Sequence, residues 1–495
     1  MKSTNGNSSS EKRHPRRTVK RSSGVLMHIS SLFGGFSCGS FGDAARYFID
    51  FLKESGFSWW QVLPFCPTDE YSSPYKSLCS FGGNPMFIDL PTLYEQGLLT
   101  AEELRGAVER SPYLVESERL NERIGLLSLA CSRMENRKEV YEFLSSHPES
   151  ALAAEFMARR SAEGGLPWQR WRGKEPNDKE LFLWQFIQYE FFSQWKKIRA
   201  YANSHGIRII GDLPIYVSED SADVWAHGDE FLLDNEGYPT EVAGVPPDYF
   251  SEDGQLWGNP LYNWEKMKEN GYAWWRRRIA WSMELFDGVR IDHFRGLEAY
   301  WSIPRGAESA KEGRWVEGPG REMVDAIRAE AGEGLVIAED LGDITDGVRD
   351  LLDYSGLPGM RVLQFGFLSA GESIHLPHNY SDLTVAYSGT HDNNTLLGFI
   401  WESDEENRRR LFDYIGADTS DLSSGVSTSI RTLYASAAPL AILPVQDLLG
   451  YGSDTRMNTP GRAKGNWLYR ITKEQLDGID RKRFAYLAEL FGRKP

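Results

Sequence analysis

The stretch FDGVRIDHFRG at residues 286–296 sets a cation, an anion and an imidazole close together behind a short apolar run. In a β-strand successive side chains alternate between faces, so Arg290 and Asp292 lie on the face opposite Val289 and Ile291. A cation and an anion on one inward face can form a binding or catalytic site. The same pattern fits a strand end that runs into solvent with a surface ion pair, so the rest of the chain has to separate the two.

Further carboxylates close other apolar runs of the chain. Asp212 ends the run IRIIGDL, Glu339 and Asp340 follow LVIA, and His391 with Asp392 follows LTVAYSGT. Several acids around one site are unfavourable unless a metal ion, a proton or a developing positive charge offsets them. The sequence has no HExxH motif and no Lys at a matching strand end, which argues against a metal site, and its Gly-rich stretch has neither GxGxxG nor a GK(S/T) ending, which argues against a phosphate site.

Cleavage of a glycosidic bond is a chemistry that uses such a ring of acids. Its transition state is an oxocarbenium ion, and it needs one ionised and one protonated carboxyl group. The guanidinium of Arg290 is expected to lower the pKa of Asp292 and keep it ionised as a nucleophile. Glu339, at the end of a buried run among other acids, is expected to keep its proton as the general acid/base. Asp392 is then a candidate to hydrogen-bond the hydroxyls of a distorted sugar.

These acids can meet only if the fold brings strand ends together. Eight short apolar runs alternate with helical stretches such as GDAARYFIDFLKESG. Runs of this kind are typical of parallel strands buried on both faces, and eight βα units predict an α/β fold, a (β/α)8 TIM barrel with its site at the carboxyl ends of the strands. The runs are 24–30, 59–65, 207–217, 286–294, 334–340, 360–367, 383–392 and 438–449.

Two intervals are too long for plain crossovers and predict inserted subdomains. Residues 91–180 are charged and helix-periodic, so we expect a helical insertion there. Residues 218–270 are rich in Pro, Gly and aromatic residues, which favours a loop-rich insertion over the site. Residues 1–21 are polar and basic without an apolar core, so they predict a disordered tail and not a secretory signal, while their Ser/Arg bias leaves an organellar transit peptide as the alternative. The catalytic barrel then spans residues 22–495.

Composition limits the classes of partner. A formal net charge of −16 argues against a nucleic-acid partner and against an anionic membrane surface. No run approaches the roughly 20 apolar residues that a membrane span needs. The four cysteines are scattered without a CxxC pair, which favours the cytoplasm. The sequence leaves the oligomeric state open.

Several long stretches are similar to the amylomaltases, or disproportionating enzymes, which are the 4-α-glucanotransferases of glycoside hydrolase family 77 in the α-amylase clan. The resemblance covers nearly the whole chain after residue 21. The matching stretches are SPYKSLCSFGGNPMFIDL (73–90), GDLPIYVSEDSADVW (211–225), GVPPDYFSEDGQLWGNPLYNW (244–264), FDGVRIDHFRGLEAYW (286–301), IAEDLG (337–342), SGTHDNNT (388–395) and RMNTPG (456–461).

The resemblance implies a role for each matched residue. Asp292 is the nucleophile, Glu339 the acid/base and Asp392 the stabiliser of the transition state. The resemblance also implies a (β/α)8 barrel with inserted subdomains, no C-terminal β-domain and no cofactor. The candidate substrate-binding residues are Tyr75, Asp212, Asp248, Trp257, Arg290, His391 and Asn458.

The implied activity transfers α-1,4-glucan segments from a malto-oligosaccharide to glucose or another glucan. One alternative is an α-glucan hydrolase that uses the same acids with water as acceptor. Another is a non-catalytic glucan-binding barrel, which would have lost at least one of the three acids. The chain departs from the usual family pattern at LFGGFSCGSFG (32–42), Lys76 and Asn394, which bears on acceptor preference and outer subsites and leaves the three acids unaffected.

Overall fold

The computed structural model describes residues 13–69, 72–247, 252–369 and 371–494. Its centre is a closed barrel of eight parallel strands, in the order β1, β2, β3, β6, β9, β10, β11 and β12, and a separate sheet contains four strands. The strands are β1 (Ser22–Leu26), β2 (Trp59–Gln61), β3 (Arg208–Leu213), β4 (Glu241–Val245), β5 (Gln255–Pro260), β6 (Gly288–Ile291), β7 (Ala299–Pro304), β8 (Arg314–Glu317), β9 (Leu335–Ala338), β10 (Gly359–Val362), β11 (Thr384–Tyr387) and β12 (Leu440–Pro444).

Helices surround the barrel and fill its longer connections. Between β10 and β11 the described residues form only short 3-10 turns, so the sixth unit lacks the expected α-helix. The helices are α1 (Asp43–Glu54), α2 (Leu90–Glu95), α3 (Ala101–Gly106), α4 (Leu120–Arg133), α5 (Lys138–Ser146), α6 (Pro148–Ala162), α7 (Asp178–Ser204), α8 (Ala222–Ala226), α9 (Trp264–Glu269), α10 (Ala273–Leu285), α11 (Gly320–Ala331), α12 (Asp346–Ser355), α13 (Leu396–Glu402), α14 (Glu405–Ile415), α15 (Leu422–Ala435), α16 (Val445–Leu449), α17 (Lys473–Asp477) and α18 (Arg481–Leu490).

The predicted TIM barrel is confirmed. Each of the eight apolar runs contains or overlaps one barrel strand. The strands bury apolar residues on both sides, because one set faces the barrel interior and the alternate set faces the helices. On β6 the two sets are Arg290, which faces inward, and Val289 with Ile291, which pack in the outer core. The alternation read from the sequence is therefore correct.

The interval 91–180 contains most of α2, all of α3 to α6 and the first three residues of α7. Helix α7 begins where Asn177 caps it, since the Asn177 side chain accepts hydrogen bonds from the backbone N–H groups of Lys179 and Glu180. The Glu180 side chain accepts one in return from the Asn177 N–H at 3.0 Å. This cap explains why a 27-residue helix starts abruptly after a Pro- and Gly-containing segment.

The interval 218–270 is more regular than the loop-rich insertion predicted from the sequence. Strands β4 and β5 in this interval pair with β7 and β8 in an antiparallel sheet of order β5-β4-β7-β8. Glycine is unfavourable in strands, so Gly244 weakens the strand pattern in the sequence. The pairing of β4 with β5 nevertheless requires a glycine at this position. A Cβ at Gly244 would lie 2.3 Å from the backbone oxygen of Gln255 on the neighbouring strand.

The basic tail is only partly outside the described residues, and the part that is described is not disordered. Residues 13–21 run across the amino-terminal end of the barrel, and we call them the strap. The backbone N–H groups of His14 and Arg17 donate to the carbonyls of Tyr354 and Gly356 at 3.0 and 2.9 Å. Val19 packs against the apolar residues of the barrel interior. Backbone pairing, which composition does not reveal, orders this segment.

Within the described parts of the chain, every helix is too short or too polar to cross a membrane.

Candidate active site

The three acids singled out in the sequence lie at the carboxyl end of the barrel. Asp292 directly follows β6 and Glu339 directly follows β9, which is the neighbouring strand. The backbone N–H of Asp292 donates to the carbonyl of Leu213 on β3, and that of Glu339 donates to Ile291 on β6, both at 3.0 Å. The barrel ladder therefore continues one residue beyond each strand and fixes the Cα positions of both acids.

A single arginine connects the floor of the site. Arg290 donates to both carboxylate oxygens of Asp212 at 3.0 and 2.8 Å, and its shared Nη2 also donates to Asp292 Oδ1 at 2.9 Å. The side chain of Asp212 is fully buried, whereas that of Asp292 keeps 27% of its surface exposed. Tyr75 completes the group, since its hydroxyl donates to Asp212 Oδ2 at 2.5 Å and accepts from Arg290. Asp292 is therefore the member that still faces the cleft.

The expected direction of the pKa shift at Asp292 is wrong. Burial raises this pKa most strongly, Arg290 lowers it, and the negative charges of Asp212 and Asp392 raise it again, so the net pKa lies above the ordinary value. The adjacent cation by itself predicts a lowered pKa, whereas the desolvation and the other acids that raise it depend on the closed barrel.

Glu339 is held by the backbone on both carboxyl oxygens. Its Oε2 accepts from the N–H of His293 at 2.7 Å and its Oε1 from the N–H of Leu341 at 3.0 Å. Burial raises the pKa of Glu339, the charge of Asp292 raises it further, and Arg290 with the two N–H groups lowers it only in part. The pKa of Glu339 rises more than that of Asp292, so the pair holds one proton near neutral pH, and that proton resides on Glu339.

The third acid has a contrasting environment. Asp392 Oδ2 lies 3.2 Å from His391 Nε2, and Asp392 Oδ1 accepts from Asn458 Nδ2 at 2.6 Å. Burial raises the pKa of Asp392, but His391, Asn458 and Arg290 lower it more, so the net pKa falls below the usual range. The ring of His391 stacks on Tyr75 with centroids 5.0 Å apart. This stack joins the Asp392 group to the Arg290 group.

Trp257 approaches the site from the antiparallel sheet. It lies on β5, and its ring meets the edge of His293 with centroids 4.9 Å apart at 82°. The candidate residue Asp248 and the neighbouring Tyr249 and Phe250 lie outside the described residues. The other candidates form one continuous group of contacts around Arg290, His391 and Glu339.

The structure adds residues that the sequence argument did not assign. His293 contacts Glu339 through its backbone and Trp257 through its ring. Arg456 donates to the backbone oxygen of Asp392 at 2.6 Å, and Trp467 lies 5.9 Å from the Tyr75 ring. His293 could have been identified from the sequence because it directly follows the nucleophile. Arg456 and Trp467 could not, because they reach the active site only where the chain returns to it after β12.

The histidines of the HLPH segment serve packing within the connection between β10 and β11. His375 Nδ1 accepts from the backbone N–H of Val362 at 3.2 Å. His378 Nδ1 lies 3.0 Å from the Tyr414 hydroxyl. In the described ranges no group of three or more His, Cys, Asp or Glu side chains has the arrangement of a metal site.

Comparison with known proteins agrees with this architecture. Residues 27–476 match glycoside hydrolase family 77, described as 4-alpha-glucanotransferase. The 4-alpha-glucanotransferase of Streptococcus pneumoniae serotype 4 is 43% identical over 478 residues, which cover 92% of this chain and 94% of that protein. The 4-alpha-glucanotransferase of Thermus thermophilus is 43% identical over 504 residues, which cover 95% of this chain and 99% of that protein.

A solved structure extends the likeness to three dimensions. The amylomaltase from Streptococcus agalactiae in complex with acarbose superposes with a TM-score of 0.92 at 36% identity, and the match covers 96% of this chain and all of that one. The resemblance noted in the sequence is thus confirmed over nearly the full length. The chain belongs to glycoside hydrolase family 77, the family of 4-alpha-glucanotransferases.

Proposed function

We propose that this chain transfers α-1,4-glucan segments between malto-oligosaccharides by a retaining double displacement. The observation that carries the proposal is the position of two acids, Asp292 and Glu339, directly after neighbouring barrel strands. Asp292 and Glu339 lie in one partly buried site, and Glu339 holds the proton because its pKa is raised further. Retaining transfer requires this combination of a carboxylate nucleophile and a protonated acid.

In the first displacement Asp292 attacks C1 of the donor glucosyl unit. The bond from C1 to the glycosidic oxygen breaks, and Glu339 gives its proton to that oxygen. The donor fragment remains on Asp292 as a covalent glycosyl ester. The hydrogen bond from Arg290 to Asp292 Oδ1 aims the carboxylate and leaves its other oxygen free to attack.

In the second displacement an acceptor sugar replaces the leaving group. Glu339 removes the proton from the acceptor 4-hydroxyl, the new oxygen forms a bond to C1, and the bond from C1 to Asp292 breaks. Glu339 is then protonated again and the site is restored. The pKa of Glu339 lies above its ordinary value, which suits a group that alternates between acid and base.

The remaining candidates hold the donor sugar. His391, Asp392 and Asn458 present polar groups on one side of Asp292, and Tyr75 presents an aromatic ring stacked on His391. Asp392 stays ionised and stabilises positive charge that develops at the sugar ring. Asp212 is fully buried against Arg290, so we assign it to positioning Arg290 instead of direct sugar contact. Asp248 stays a candidate for sugar binding by resemblance alone.

Transfer in preference to hydrolysis requires that the acceptor side favour sugar over water. Trp257 offers an aromatic face on the antiparallel sheet beside Glu339, and flat rings of this kind stack well on the apolar face of a pyranose. The substrate class follows from the family and from the acarbose complex of the Streptococcus agalactiae amylomaltase. We also infer a cytoplasmic location, because all four cysteines are free thiols.

Incubation with maltotriose tests the proposal. Transfer gives glucose and a ladder of longer glucans while the number of reducing ends stays constant. A steady rise in reducing ends without longer products would overturn it in favour of the hydrolase. The Asp292→Asn protein, prepared in the same way, serves as the blank, because any ladder it produces comes from a contaminant.

A further inference from the structure

His293 stands beside the nucleophile, and the proposed mechanism gives it no task. Its backbone has φ 51° and ψ 49°, the left-handed conformation, which it shares among described non-glycine residues with Ser72, Tyr272 and Trp467. This conformation costs a non-glycine residue on the order of 1 kcal/mol or more. Strain of this kind persists where the surrounding contacts require the conformation, so the contacts of His293 indicate its purpose.

The left-handed turn directs two successive backbone N–H groups at one residue. The N–H of His293 donates to Glu339 Oε2 at 2.7 Å, and the N–H of Phe294 donates to the backbone oxygen of Glu339 at 3.1 Å. An extended residue at position 293 would send these two groups to opposite sides of the chain. The turn therefore fixes both the main chain and the carboxyl group of Glu339.

The ring of His293 makes a separate contact. It lies perpendicular to the ring of Trp257 with centroids 4.9 Å apart, although Trp257 lies on β5 of the antiparallel sheet and His293 follows the barrel strand β6. Burial and the nearby Arg295 lower the pKa of His293 to about 3, so the ring is neutral at working pH. Gly296 leaves room for it, since a Cβ there would lie 3.1 Å from His293 Cδ2. The neutral ring of His293 thus packs against the ring of Trp257 and helps to hold it in place.

We propose that His293 is a positioning residue that links the acceptor-side aromatic wall to the acid/base. Its backbone orients the carboxyl group of Glu339, and its ring orients Trp257. Because one residue makes both contacts, it fixes the position of Trp257 relative to Glu339. A sugar that stacks on Trp257 is therefore held at a defined position relative to the proton on Glu339. This inference rests on the proposed function, because it assumes that Glu339 is the acid/base.

The pH profile can report the backbone part of this link. The charged groups that face Glu339 are Asp292, which raises its pKa, and Arg290, which lowers it. The N–H groups of His293 and Leu341 stabilise the carboxylate and lower the pKa as well. If the turn at position 293 is broken, Glu339 loses one of these donors and its pKa rises further. The alkaline limb of the activity profile then moves to higher pH.

Two substitutions both remove the ring but differ in their effect on the backbone, so the difference between them reports the turn. His293→Asn keeps the left-handed turn, which asparagine tolerates, but removes the aromatic edge under Trp257. We expect it to keep the alkaline limb of the wild type and to raise KM for the acceptor about three- to tenfold. His293→Val disfavours the left-handed turn, so we expect kcat to fall about 100-fold. We also expect its alkaline limb to rise by up to about one pH unit.

Tyr272→Val is the matched control. Tyr272 has the same left-handed backbone, with φ 60°, at the start of α10, away from the acids. We expect it to lower the melting temperature without moving the alkaline limb. If His293→Val does not fold, His293→Ala replaces it, since alanine is less strained than a β-branched residue at positive φ.

The inference is overturned if His293→Val keeps the wild-type alkaline limb, or if the Asn and Val variants lose activity equally with unchanged KM. Either result would assign His293 a purely structural role. Failure of the proposed function has a different signature, because the wild-type protein itself would then give no ladder from maltotriose. The two failures are therefore distinguishable in one set of preparations.

Discussion

The two ends of the barrel use buried arginine in different ways. At the carboxyl end Arg290 binds the carboxylates of Asp212 and Asp292, and these charges raise its pKa well above the ordinary value despite burial. At the amino end Arg493 is equally buried, but its partners are backbone carbonyls, and burial lowers its pKa to about 9. One residue type thus meets charged acceptors at one end and neutral ones at the other.

The amino end is built around the carboxyl end of helix α15. Arg493 donates to carbonyls on either side of the turn between α15 and β12, including Tyr434 and Ala438 at 2.9 Å. Arg21 of the strap reaches the same turn and donates to Tyr434 and Ser436 at 2.9 Å. Cations at this position also interact favourably with the helix dipole. These contacts satisfy acceptors that the fold would otherwise bury without partners.

This difference in the acceptors of the buried arginines indicates that the amino end serves stability and the carboxyl end serves catalysis. The guanidinium groups of Arg493 and Arg21 at the amino end meet neutral backbone carbonyls, so these contacts stabilise the fold. At the carboxyl end several acids compete for one guanidinium, and the raised pKa values of Asp292 and Glu339 show that their charged forms are disfavoured there. We therefore expect substitutions at the carboxyl end to abolish activity at little cost in stability, and those at the amino end to do the reverse.

Asp292→Asn should have the largest effect. We expect kcat to fall about 10⁴-fold or more, because the nucleophile is lost while the site keeps its shape. The native pKa of Asp292 lies above its unfolded value, so its charge destabilises the fold at higher pH and contributes nothing below both values. Denaturant unfolding at pH 8 should then show a gain of about 1 kcal/mol that fades at pH 4. Unchanged turnover in Asp292→Asn would contradict the assignment of the chemistry to the carboxyl end of the barrel.

Arg493→Met should have the opposite signature. The substitution keeps the volume but leaves the carbonyls around the α15 turn without a donor, so we expect a loss of about 3 kcal/mol in the free energy of unfolding. Below the melting temperature kcat/KM for maltotriose should stay close to the wild-type value. Chemical denaturation and initial rates on one preparation check both parts. A large loss of activity in the folded variant would show that the two ends are coupled.

The pH profile should show the consequences of the crowded acids. Activity requires Asp292 ionised and Glu339 protonated, so we expect a bell-shaped profile. Its acid limb follows the raised pKa of Asp292, and its alkaline limb follows the still higher pKa of Glu339. Beyond each limb the rate should change about tenfold per pH unit. An acid limb near the ordinary pKa of an aspartate would instead support the simpler view taken from the sequence.

The smallest expected effect is a difference in stability between two substitutions in the strap. Arg21→Ala removes donors to four partly buried backbone carbonyls and should cost about 2 kcal/mol of stability. Arg16→Ala is its matched control, because Arg16 contacts Asp382 at 3.4 Å and both side chains are more than half exposed. We expect the control to change stability by about 0.5 kcal/mol or less. Equal losses would mean that the strap acts through charge alone.

The sequence was informative where one property decides the structure. The alternation of Val289, Arg290 and Ile291 reveals which side faces inward, and barrel closure then places Asp292 next to Glu339. Properties that depend on several segments were missed. The pKa of Asp292 is set by burial and by acids from other strands, and the order of the strap by carbonyls hundreds of residues away. The left-handed backbone of His293 is only weakly indicated by its residue type, because histidine adopts this conformation more often than most residues but still uncommonly.

In the proposed mechanism Asp292 forms a covalent glycosyl ester while Glu339 transfers the proton. α-Maltosyl fluoride can trap this ester in the Glu339→Gln protein, because fluoride leaves without an acid and the variant cannot activate an acceptor. Mass spectrometry of the rapidly quenched and digested protein should show a maltosyl adduct on the peptide that contains Asp292. No adduct despite fluoride release, or an adduct on another residue, would contradict the claim.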